Sequence, residues 1–309
     1  MKTNFSKFRL AIFAIAALTV FVSCSKDEDD KKTESKNIAQ VASSNPDFSI
    51  LVEALDKADL VSAMEGTGPF TVFAPTNAAF NALFAQLGVS GISDLSAETL
   101  KPILLNHVIS GNVKAMDIAT GYVETLNNYG PNGNKVKLFI LKGSNVMVDN
   151  SKVVTTDVMA SNGTIHAIDK VILPPSVVGH AINNPDFSIL VQAVVKAGLV
   201  DALSAPGPFT VFAPTNAAFA ELFAALGVSG IDDLTAAQLT PILLYHVVSG
   251  NVVASQVSSG MVPTLNEGSN ISIVANTMGV KLNGNSNVIA TDVQGANGVI
   301  HAIDAVLLP

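Results

Sequence analysis

The pattern of hydrophobic and polar residues changes period along this chain, and the same changes occur again in its second half. After Asp47, apolar residues recur three and four positions apart as far as Ala58, which predicts a helix with one buried face. Asp47 follows Pro46, so we expect its side chain to cap the first turn of that helix. Asp186 follows Pro185 and has the same position in the second half.

A short strand and a second helix are predicted next. Residues 69–74 alternate between two faces, and Pro75 ends the run because proline cannot donate to a ladder. Thr76 or Asn77 then caps a helix whose apolar positions stop before Gly88, a favoured C-terminal residue. The pattern therefore predicts a corner made of a strand, a proline stop and a capped helix.

The remainder of the unit is rich in strands. A third helix is predicted from 96 to 106, and beyond it apolar runs or alternation cover 136–142, 146–148 and 165–173. Turns rich in Gly, Asn and Ser separate these runs. Helices followed by a strand-rich half indicate an α+β fold in which helices pack against a sheet sandwich or wedge.

The chain is a duplication of this unit. Residues 68–80 and 207–219 are identical over thirteen positions, GPFTVFAPTNAAF, at an offset of 139. Near the ends of the units the offset falls to 135, so the copies differ in length by four residues. The nine residues 127–135 stand against the five residues 266–270, and this places the whole difference in one loop.

Length and repeat together predict two domains, at 37–174 and 176–309. Each unit is long enough to bury its own core. A hydrophobic content of 49% with 14% charged residues indicates a folded chain. Before the first domain, residues 1–23 resemble a lipoprotein signal peptide, because positive residues precede an apolar run of thirteen, 10–22, which is short for a membrane span.

Cys24 is the only cysteine of the chain. Its place after such a leader resembles the lipobox of bacterial lipoproteins, in which the cysteine is acylated; an ordinary free thiol is the alternative. Residues 24–36 are then the acylated cysteine and a charged tether, because 25–36 contain no apolar residue that could pack. The acidic cluster in the tether resembles a signal for export to the outer face of the outer membrane, and a plain flexible linker is the other interpretation.

The charge of the chain excludes one class of partner. The net charge is −8 for the full chain; without residues 1–23, 14 cations against 25 acidic residues leave −11. No basic stripe is present, so binding to nucleic acid is disfavoured. The membrane is expected as a partner only through the lipid anchor.

Two motifs in each unit resemble the signatures of the fasciclin (FAS1) domain. Residues 71–80, TVFAPTNAAF, are similar to the first signature, and residues 162–174, NGTIHAIDKVILP, are similar to the second. Tyr245-His246 matches an intervening motif, where the first copy has Asn106-His107. The resemblance implies two tandem FAS1-like domains, each a wedge-shaped β-sandwich with packed helices. It also implies a role in adhesion to cells, matrix or surface polymers.

The resemblance also points to candidate partner-binding residues. In some animal members an Asp-Ile pair before the second signature is an integrin-recognition element, and the matching positions here are Asp157-Val158 and Asp292-Val293. Tyr129, in an Asn-rich loop of the first copy, is a further candidate because loops on a rigid scaffold often carry recognition. The alternatives are aspartates that satisfy backbone N–H groups beside a turn and a loop insertion that is merely tolerated.

Four histidines in duplicated positions raise the question of catalysis: His107, His166, His246 and His301. The aspartates three residues after His166 and His301 point to the opposite face of a strand, which argues against His–Asp pairs. No nucleotide-binding, metalloprotease or nucleophile-elbow motif is present in the sequence. We therefore expect buried structural histidines, and no catalytic residue, cofactor or metal.

The sequence thus predicts a non-catalytic, lipid-anchored cell-surface adhesion protein. Its expected partner is an extracellular matrix or cell-surface protein or polymer. The alternative is a glycan- or small-ligand-binding module of an envelope uptake system. The absence of Trp and the presence of only three Tyr count against sugar stacking.

Overall fold

The computed structural model describes residues 35–309. The predicted leader, Cys24 and the tether as far as Glu34 lie outside the described residues. Within 35–309, one series of helices and strands is followed by a second series in the same order. We call these two series the first and the second domain.

Each domain contains five α-helices and seven strands among the described residues. Those of the first domain are α1 (Ile38–Ser43), α2 (Ser49–Lys57), α3 (Val61–Glu65), β1 (Phe70–Pro75), α4 (Asn77–Leu87), α5 (Ala97–Asn106), β2 (Val108–Ser110), β3 (Gly121–Glu124), β4 (Lys137–Lys142), β5 (Val146–Val148), β6 (Ser151–Ala160) and β7 (Gly163–Ile168). Those of the second domain are α6 (Val177–Asn183), α7 (Ser188–Lys196), α8 (Val200–Ser204), β8 (Phe209–Pro214), α9 (Asn216–Leu226), α10 (Ala236–Tyr245), β9 (Val247–Ser249), β10 (Gly260–Pro263), β11 (Asn270–Asn276), β12 (Gly279–Leu282), β13 (Ser286–Gln294) and β14 (Gly298–Ile303).

The strands of each domain form one nearly closed sheet. The order is β2-β1-β7-β6-β5-β4-β3 in the first domain and β9-β8-β14-β13-β12-β11-β10 in the second, with one parallel pair in each, β1 with β7 and β8 with β14. The two ends of the first sheet meet where Ile109 bridges Thr125 and the Leu126 amide donates to the Val108 carbonyl at 2.8 Å. The predicted α+β fold of two tandem domains with helices packed on a sheet is confirmed.

Neighbouring side chains of β1 pack into two different hydrophobic cores of the first domain. Val72 packs into the core between the helices and the sheet, whereas Phe73 packs inside the curled sheet. This follows from the period of two along a strand, which sends neighbouring side chains to opposite faces. Val211 and Phe212 repeat the arrangement in the second domain.

The predicted strand–proline–helix corner is confirmed. β1 ends at Pro75, and the Thr76 hydroxyl accepts a hydrogen bond from the Ala79 amide at 3.3 Å, which caps α4. Gly88 ends α4 with φ 68°, a conformation that glycine adopts without steric cost. The helix expected from residue 96 is also present, with Ser96 as its N-cap.

The prediction that the Asp47 side chain caps the helix is wrong. The Asn45 side chain accepts a hydrogen bond from the Asp47 amide at 3.0 Å and opens a short 3-10 helix, Pro46–Phe48, that precedes α2. Asn184 does the same for the Asp186 amide. An asparagine side chain reaches the backbone two residues onward, so the residue before the proline makes the cap.

The strand predictions differ from the structure in two ways. The run 165–173 is a strand only as far as Ile168, where β7 ends. Three strands of the first domain were not predicted from the sequence: the short β2 and β3, and the long β6. The register of β6 against β7 shifts twice between Val153 and Val158, and such bulges break the alternation that identifies a strand.

The length difference between the domains is not confined to one loop. The Val136 amide donates to the Asn127 carbonyl, and the Ser269 amide donates to the Asn266 carbonyl, so residues 127–136 correspond to residues 266–269. That loop is therefore six residues shorter in the second domain. Each of the next two turns, β11–β12 and β12–β13, is one residue longer than its counterpart, which leaves the net difference of four.

Candidate partner-binding sites

The polar residues of the first signature are used to join helices. Besides the cap made by Thr76, the Asn77 side chain accepts from the Ile50 amide at 3.0 Å and donates to the Pro46 carbonyl at 2.9 Å. Asn216 makes the same bonds in the second domain. The identity of the thirteen-residue peptide in both copies therefore matches a requirement of folding.

The second signature begins with an asparagine that holds three segments together. The Asn162 side chain accepts from the Ile38 amide at 2.9 Å and donates to the carbonyls of Met64 at 2.8 Å and Gly66 at 2.7 Å. Asn297 repeats all three bonds in the second domain. At the following Gly163, a Cβ atom would collide with the Phe70 carbonyl, so the parallel pairing of β1 and β7 requires glycine there.

His107 and His246 join the end of a helix to the segment that follows the last strand of the domain. His107 follows α5 and bonds the segment after β7, and His246 follows α10 and bonds the segment after β14. The Nε2 atom of His107 accepts from the Ile172 amide at 2.9 Å, so the ring proton is on Nδ1, which donates to the Ile103 carbonyl at 2.7 Å. Burial lowers the pKa of both histidines to about 4. Each ring is therefore neutral at pH 7, with both nitrogens engaged within the domain.

His166 and His301 bind the loops that follow β2 and β9, respectively. The Nε2 atom of His166 donates to the Val113 carbonyl at 2.9 Å, and its Nδ1 atom accepts from the Asp157 amide at 3.3 Å. The ring stacks on Phe73 at a centroid distance of 5.8 Å. His301 makes the corresponding contacts, and burial lowers its pKa.

The two Asp-Val pairs lie at the bulges of β6 and β13. Asp157 has φ 59°, and its Oδ1 atom accepts from the Ala115 amide at 2.9 Å; Asp292 accepts from the Ala254 amide at 2.7 Å. The Val158 side chain is half-buried, and Val293 is only 3% exposed and belongs to the core. The carboxylate of Asp157 is the most accessible part of these pairs, and recognition of a partner by them stays a prediction.

The histidines do not pair with the nearby aspartates. Asp169 accepts from the Lys152 amide at 2.7 Å, and Asp304 accepts from the Asn287 amide at 2.7 Å. Neither carboxylate has a hydrogen bond to a histidine. Residues 35–309 also contain no group of three or more His, Cys, Asp or Glu side chains that could hold a metal ion. In the same range, no helix is both long and apolar enough to cross a membrane.

Tyr129 lies at the tip of the longer loop of the first domain and is 54% exposed. The loop is ordered by its own asparagine, because the Asn127 side chain accepts from the Tyr129 amide at 3.0 Å. At Gly130, an added Cβ would lie 3.4 Å from the Gln294 side chain of the second domain. The loop thus presents one exposed aromatic ring beside the boundary between the domains.

A second tyrosine, which the sequence patterns did not indicate, joins the two domains. The Tyr122 ring lies 4.9 Å from Phe139 and meets the His180 ring edge-on at 5.6 Å, and its hydroxyl accepts from the Asn184 side chain at 3.1 Å. Burial raises the pKa of Tyr122 to about 12. The equivalent residue of the second domain is Met261, which is 65% exposed. The difference between Tyr122 and Met261 is the feature of the sequence from which this contact could have been predicted.

Asp149 is a buried carboxyl near the same boundary, and the sequence patterns did not indicate it either. Burial raises its pKa to about 7, although the Phe139 amide, which donates to Oδ1 at 2.8 Å, and the nearby Asn183 side chain act in the opposite direction. Its Oδ2 atom is buried and has no hydrogen-bond partner. The second domain has Asn283 at this position, whose side-chain amide donates to the Tyr245 hydroxyl at 2.9 Å.

A mixed polar and apolar cleft of about 450 Å³ adjoins this carboxyl. It lies between α4, the connecting segment 170–175 and α6, and its lining includes Gln86, Asp149 and Asn183. Ligand pockets often occur between domains. The cleft therefore brings side chains of both domains to one concave surface.

Comparison with known proteins places the chain in a family. The fasciclin domain matches residues 46–174 and 185–309. The Synechocystis protein sll1483 is 48% identical over 138 residues, which are 45% of this chain and 73% of that protein. The transforming growth factor-beta-induced protein ig-h3 of Sus scrofa is 30% identical over 267 residues, and human periostin is 30% identical over 260 residues.

The matches to the animal proteins cover most of this chain and a minor part of theirs. They include 85% of this chain and 36% of ig-h3, and 82% of this chain and 30% of periostin. Among solved structures, a FAS1 domain pair from the insect cell adhesion molecule fasciclin I aligns with 83% of this chain and 92% of that chain, at 22% identity and a TM-score of 0.49. The chain belongs to the fasciclin domain family and carries the domain twice.

Proposed function

We propose that this protein is a non-catalytic adhesion or binding protein of the cell surface, held to the outer membrane by a lipid on Cys24. Membership of the fasciclin family, with two copies of the domain, supports adhesion. The hydrogen bonds of the four duplicated histidines support a non-catalytic role. Each histidine has both ring nitrogens bonded to groups of its own domain.

The partner proposed is an extracellular matrix or cell-surface protein or polymer. Two adhesive domains on one chain would raise avidity if both can engage one partner at the same time. The accessible groups offered for recognition are the Asp157 carboxylate and the Tyr129 ring, which are both exposed and lie on irregular segments of the first domain.

Arrays of matrix proteins and glycans test the proposal. The chain with Cys24→Ser, free of its lipid, is expected to bind a matrix or surface protein saturably, and Tyr129→Ala or Asp157→Asn is expected to weaken that binding at least tenfold if it contacts the partner. Asn145→Ala, an exposed change elsewhere in the first domain, is the matched control. Lack of saturable binding to every protein or polymer on the array would contradict the proposal.

The second candidate is a small-ligand module of an envelope uptake system. The cleft of about 450 Å³ between the domains favours it. Binding of a glycan or other small ligand that is lost in Asn183→Leu, with no binding to matrix proteins, would support this candidate over adhesion.

The lipid anchor has its own test. Cys24→Ser is expected to move the protein from the membrane fraction to the soluble fraction, because no other segment of the chain is proposed as an anchor. Protease treatment of intact cells is expected to remove the domains if they are displayed at the surface. Retention of the variant in the membrane fraction would contradict the anchor, and protection from protease would contradict display.

A further inference from the structure

The helix layer of the second domain contains an apolar cavity of about 110 Å³. It lies between helices α6, α7, α8 and α10 and the face of β8. Its lining is aliphatic or aromatic, with His246 as the one polar residue. The sequence carries no signal for the cavity, because every lining residue is also typical of an ordinary core.

The same place in the first domain is almost filled, with a space of about 20 Å³. All twelve residues around that smaller space have counterparts around the larger one, and nine of the twelve are identical. The three that differ are Ile38, Leu55 and Met64, replaced by Val177, Val194 and Leu203. Two of these exchanges remove one carbon each, and the third replaces a long flexible side chain by a branched one, which accounts for part of the larger space.

The rim of the cavity differs between the domains as well. Ile182 and Val195 line the cavity of the second domain and are 59% and 60% exposed. The equivalent residues of the first domain are Ser43 and Asp56, which are exposed and polar. Isolated exposed apolar residues are ordinary on a protein surface. Here, however, the two replace polar residues at the mouth of an unfilled apolar space.

The single polar residue of the lining is fully engaged. The Nε2 atom of His246 accepts from the Leu307 amide at 2.9 Å, so Nδ1 carries the proton and donates to the Ile242 carbonyl at 2.8 Å. The lining side chains therefore have no free hydrogen-bonding atom for a ligand. A polar group placed there would lose its bonds to water without replacement, so the buried part of any ligand must be hydrocarbon.

We propose that this cavity binds a compact hydrocarbon group, either an aromatic ring or the end of an alkyl chain. An apolar cavity of about 150 Å³ in another protein stays dry and binds benzene, which sets the scale of a ligand for 110 Å³. Binding is favourable because an empty apolar lining lacks contact atoms that a hydrocarbon supplies. The proposal does not depend on the adhesive function, since the cavity lies within one domain.

The test titrates benzene and decanoate into the full chain with labelled methyl groups and follows them by NMR. Benzene is expected to shift the methyl signals of Val177, Val194 and Leu203 and to leave those of Ile38 and Leu55 unchanged. It is also expected to raise the melting temperature, because a ligand that binds only the native state stabilises it. If decanoate displaces benzene and shifts the same methyl signals, the cavity accepts the end of an alkyl chain. If only benzene shifts these signals, the cavity accepts a small free hydrocarbon.

Matched variants come from the other domain of the same chain. Val177→Ile with Val194→Leu gives the second domain two residues that fill the first, and we expect a protein at least as stable that binds benzene at least tenfold more weakly. Ile38→Val with Leu55→Val is expected to open the first domain to benzene. No shift with either probe, or unchanged binding in a folded Val177→Ile, Val194→Leu variant, would overturn the proposal.

Discussion

At the scale of single residues, asparagine side chains join segments of this protein that are distant in the sequence. Asn162 joins the start of α1 to the end of α3 through contacts far apart in sequence, and Asn77 joins α2 to α4. Their equivalents in the second domain make the same bonds. A carboxamide both donates and accepts, so one side chain can satisfy several backbone groups at a helix or strand end.

Replacing Asn162 by Ala is expected to destabilise the first domain by roughly 2–6 kcal/mol. The change leaves the Ile38 amide and the Met64 carbonyl buried without a partner, at about 1–3 kcal/mol each, whereas the bond to Gly66 is only part-buried and its carbonyl can bond to water. Urea denaturation measures the effect. Asn128→Ala, at an exposed position, is the control and is expected to lie within about 0.5 kcal/mol of the original chain. Equal effects of the two changes would contradict the role assigned to Asn162.

Asp149 makes the stability of the first domain depend on pH. Its pKa is about 7 in the folded chain against an ordinary value of 3.8, so the folded state retains a proton that the unfolded state has lost. Stability is therefore expected to fall as the pH rises from about 4 to about 7 and to level off above that. Three pH units correspond to an upper limit of about 4 kcal/mol.

Asp149→Asn is expected to remove this dependence. At pH 8 the variant should be more stable than the original chain by roughly 2–4 kcal/mol, and at pH 4 the two should be equal, because a neutral amide carries no cost of burying a charge. Taking the difference between the two chains cancels the titration of the histidines. Asn283→Asp in the second domain is the reverse control and is expected to introduce a loss of stability above pH 4. A constant difference across this range would contradict the assignment.

At the scale of elements, the bulge of β6 gives Asp157 its position. The strand pairs with β7 on both sides of a register shift. Asp157 lies in the shift with φ 59° and accepts a hydrogen bond from the Ala115 amide, in the loop between β2 and β3. Asp and Asn tolerate this left-handed conformation better than other residues with a side chain. The bulge and the loop therefore explain the residue type without a partner.

Variants at Asp157 separate the structural role from recognition. Asp157→Ala is expected to cost about 1–2 kcal/mol, since it loses both the tolerance of positive φ and the hydrogen bond. Asp157→Asn keeps both and is expected to change stability by less than about 0.5 kcal/mol. Thermal unfolding measures the two. If the Asn variant is as unstable as the Ala variant, the charge itself matters to the fold, and positive φ with one hydrogen bond does not explain the aspartate.

At the scale of the whole molecule, residues that differ between the copies make the boundary between the domains. Tyr122 and Phe139 of the first domain meet His180 and Asn184 of the second. The equivalents of the two aromatic residues in the second domain are Met261 and Ser272. The two copies share one fold, and residues that differ between them make this contact.

Tyr122→Met, which places the second domain's residue in the first, is expected to loosen that contact. Amide hydrogen exchange in α6 should become faster, because the helix loses an aromatic neighbour and Asn184 loses an acceptor. Tyr122→Phe removes only the hydroxyl and is expected to have a smaller effect. Unchanged exchange in α6 for Tyr122→Met would show that Tyr122 does not hold the domains together.

Local features were predicted where the residues themselves impose a conformation. Pro75, Thr76 and Gly88 act on their immediate neighbours, so the corner of strand and helix could be predicted from the sequence. The cap at Asn45 was mistaken for one at Asp47, although both are local, because two residues of capping type flank one proline. The strand β6 escaped prediction because its bulges, which depend on pairing with β7, break its alternation.

The sequence alone determined the duplication, the family and the α+β class, because these depend on repeated letters and on periodic burial of apolar residues. Tertiary structure decided which polar side chains remain free for function. The sequence predicted that the duplicated histidines are buried and structural, but only folding showed which backbone groups they and the signature asparagines bond, because most of these groups are distant in the chain. The apolar cavity and the boundary between the domains likewise arise from contacts between segments that no local pattern records.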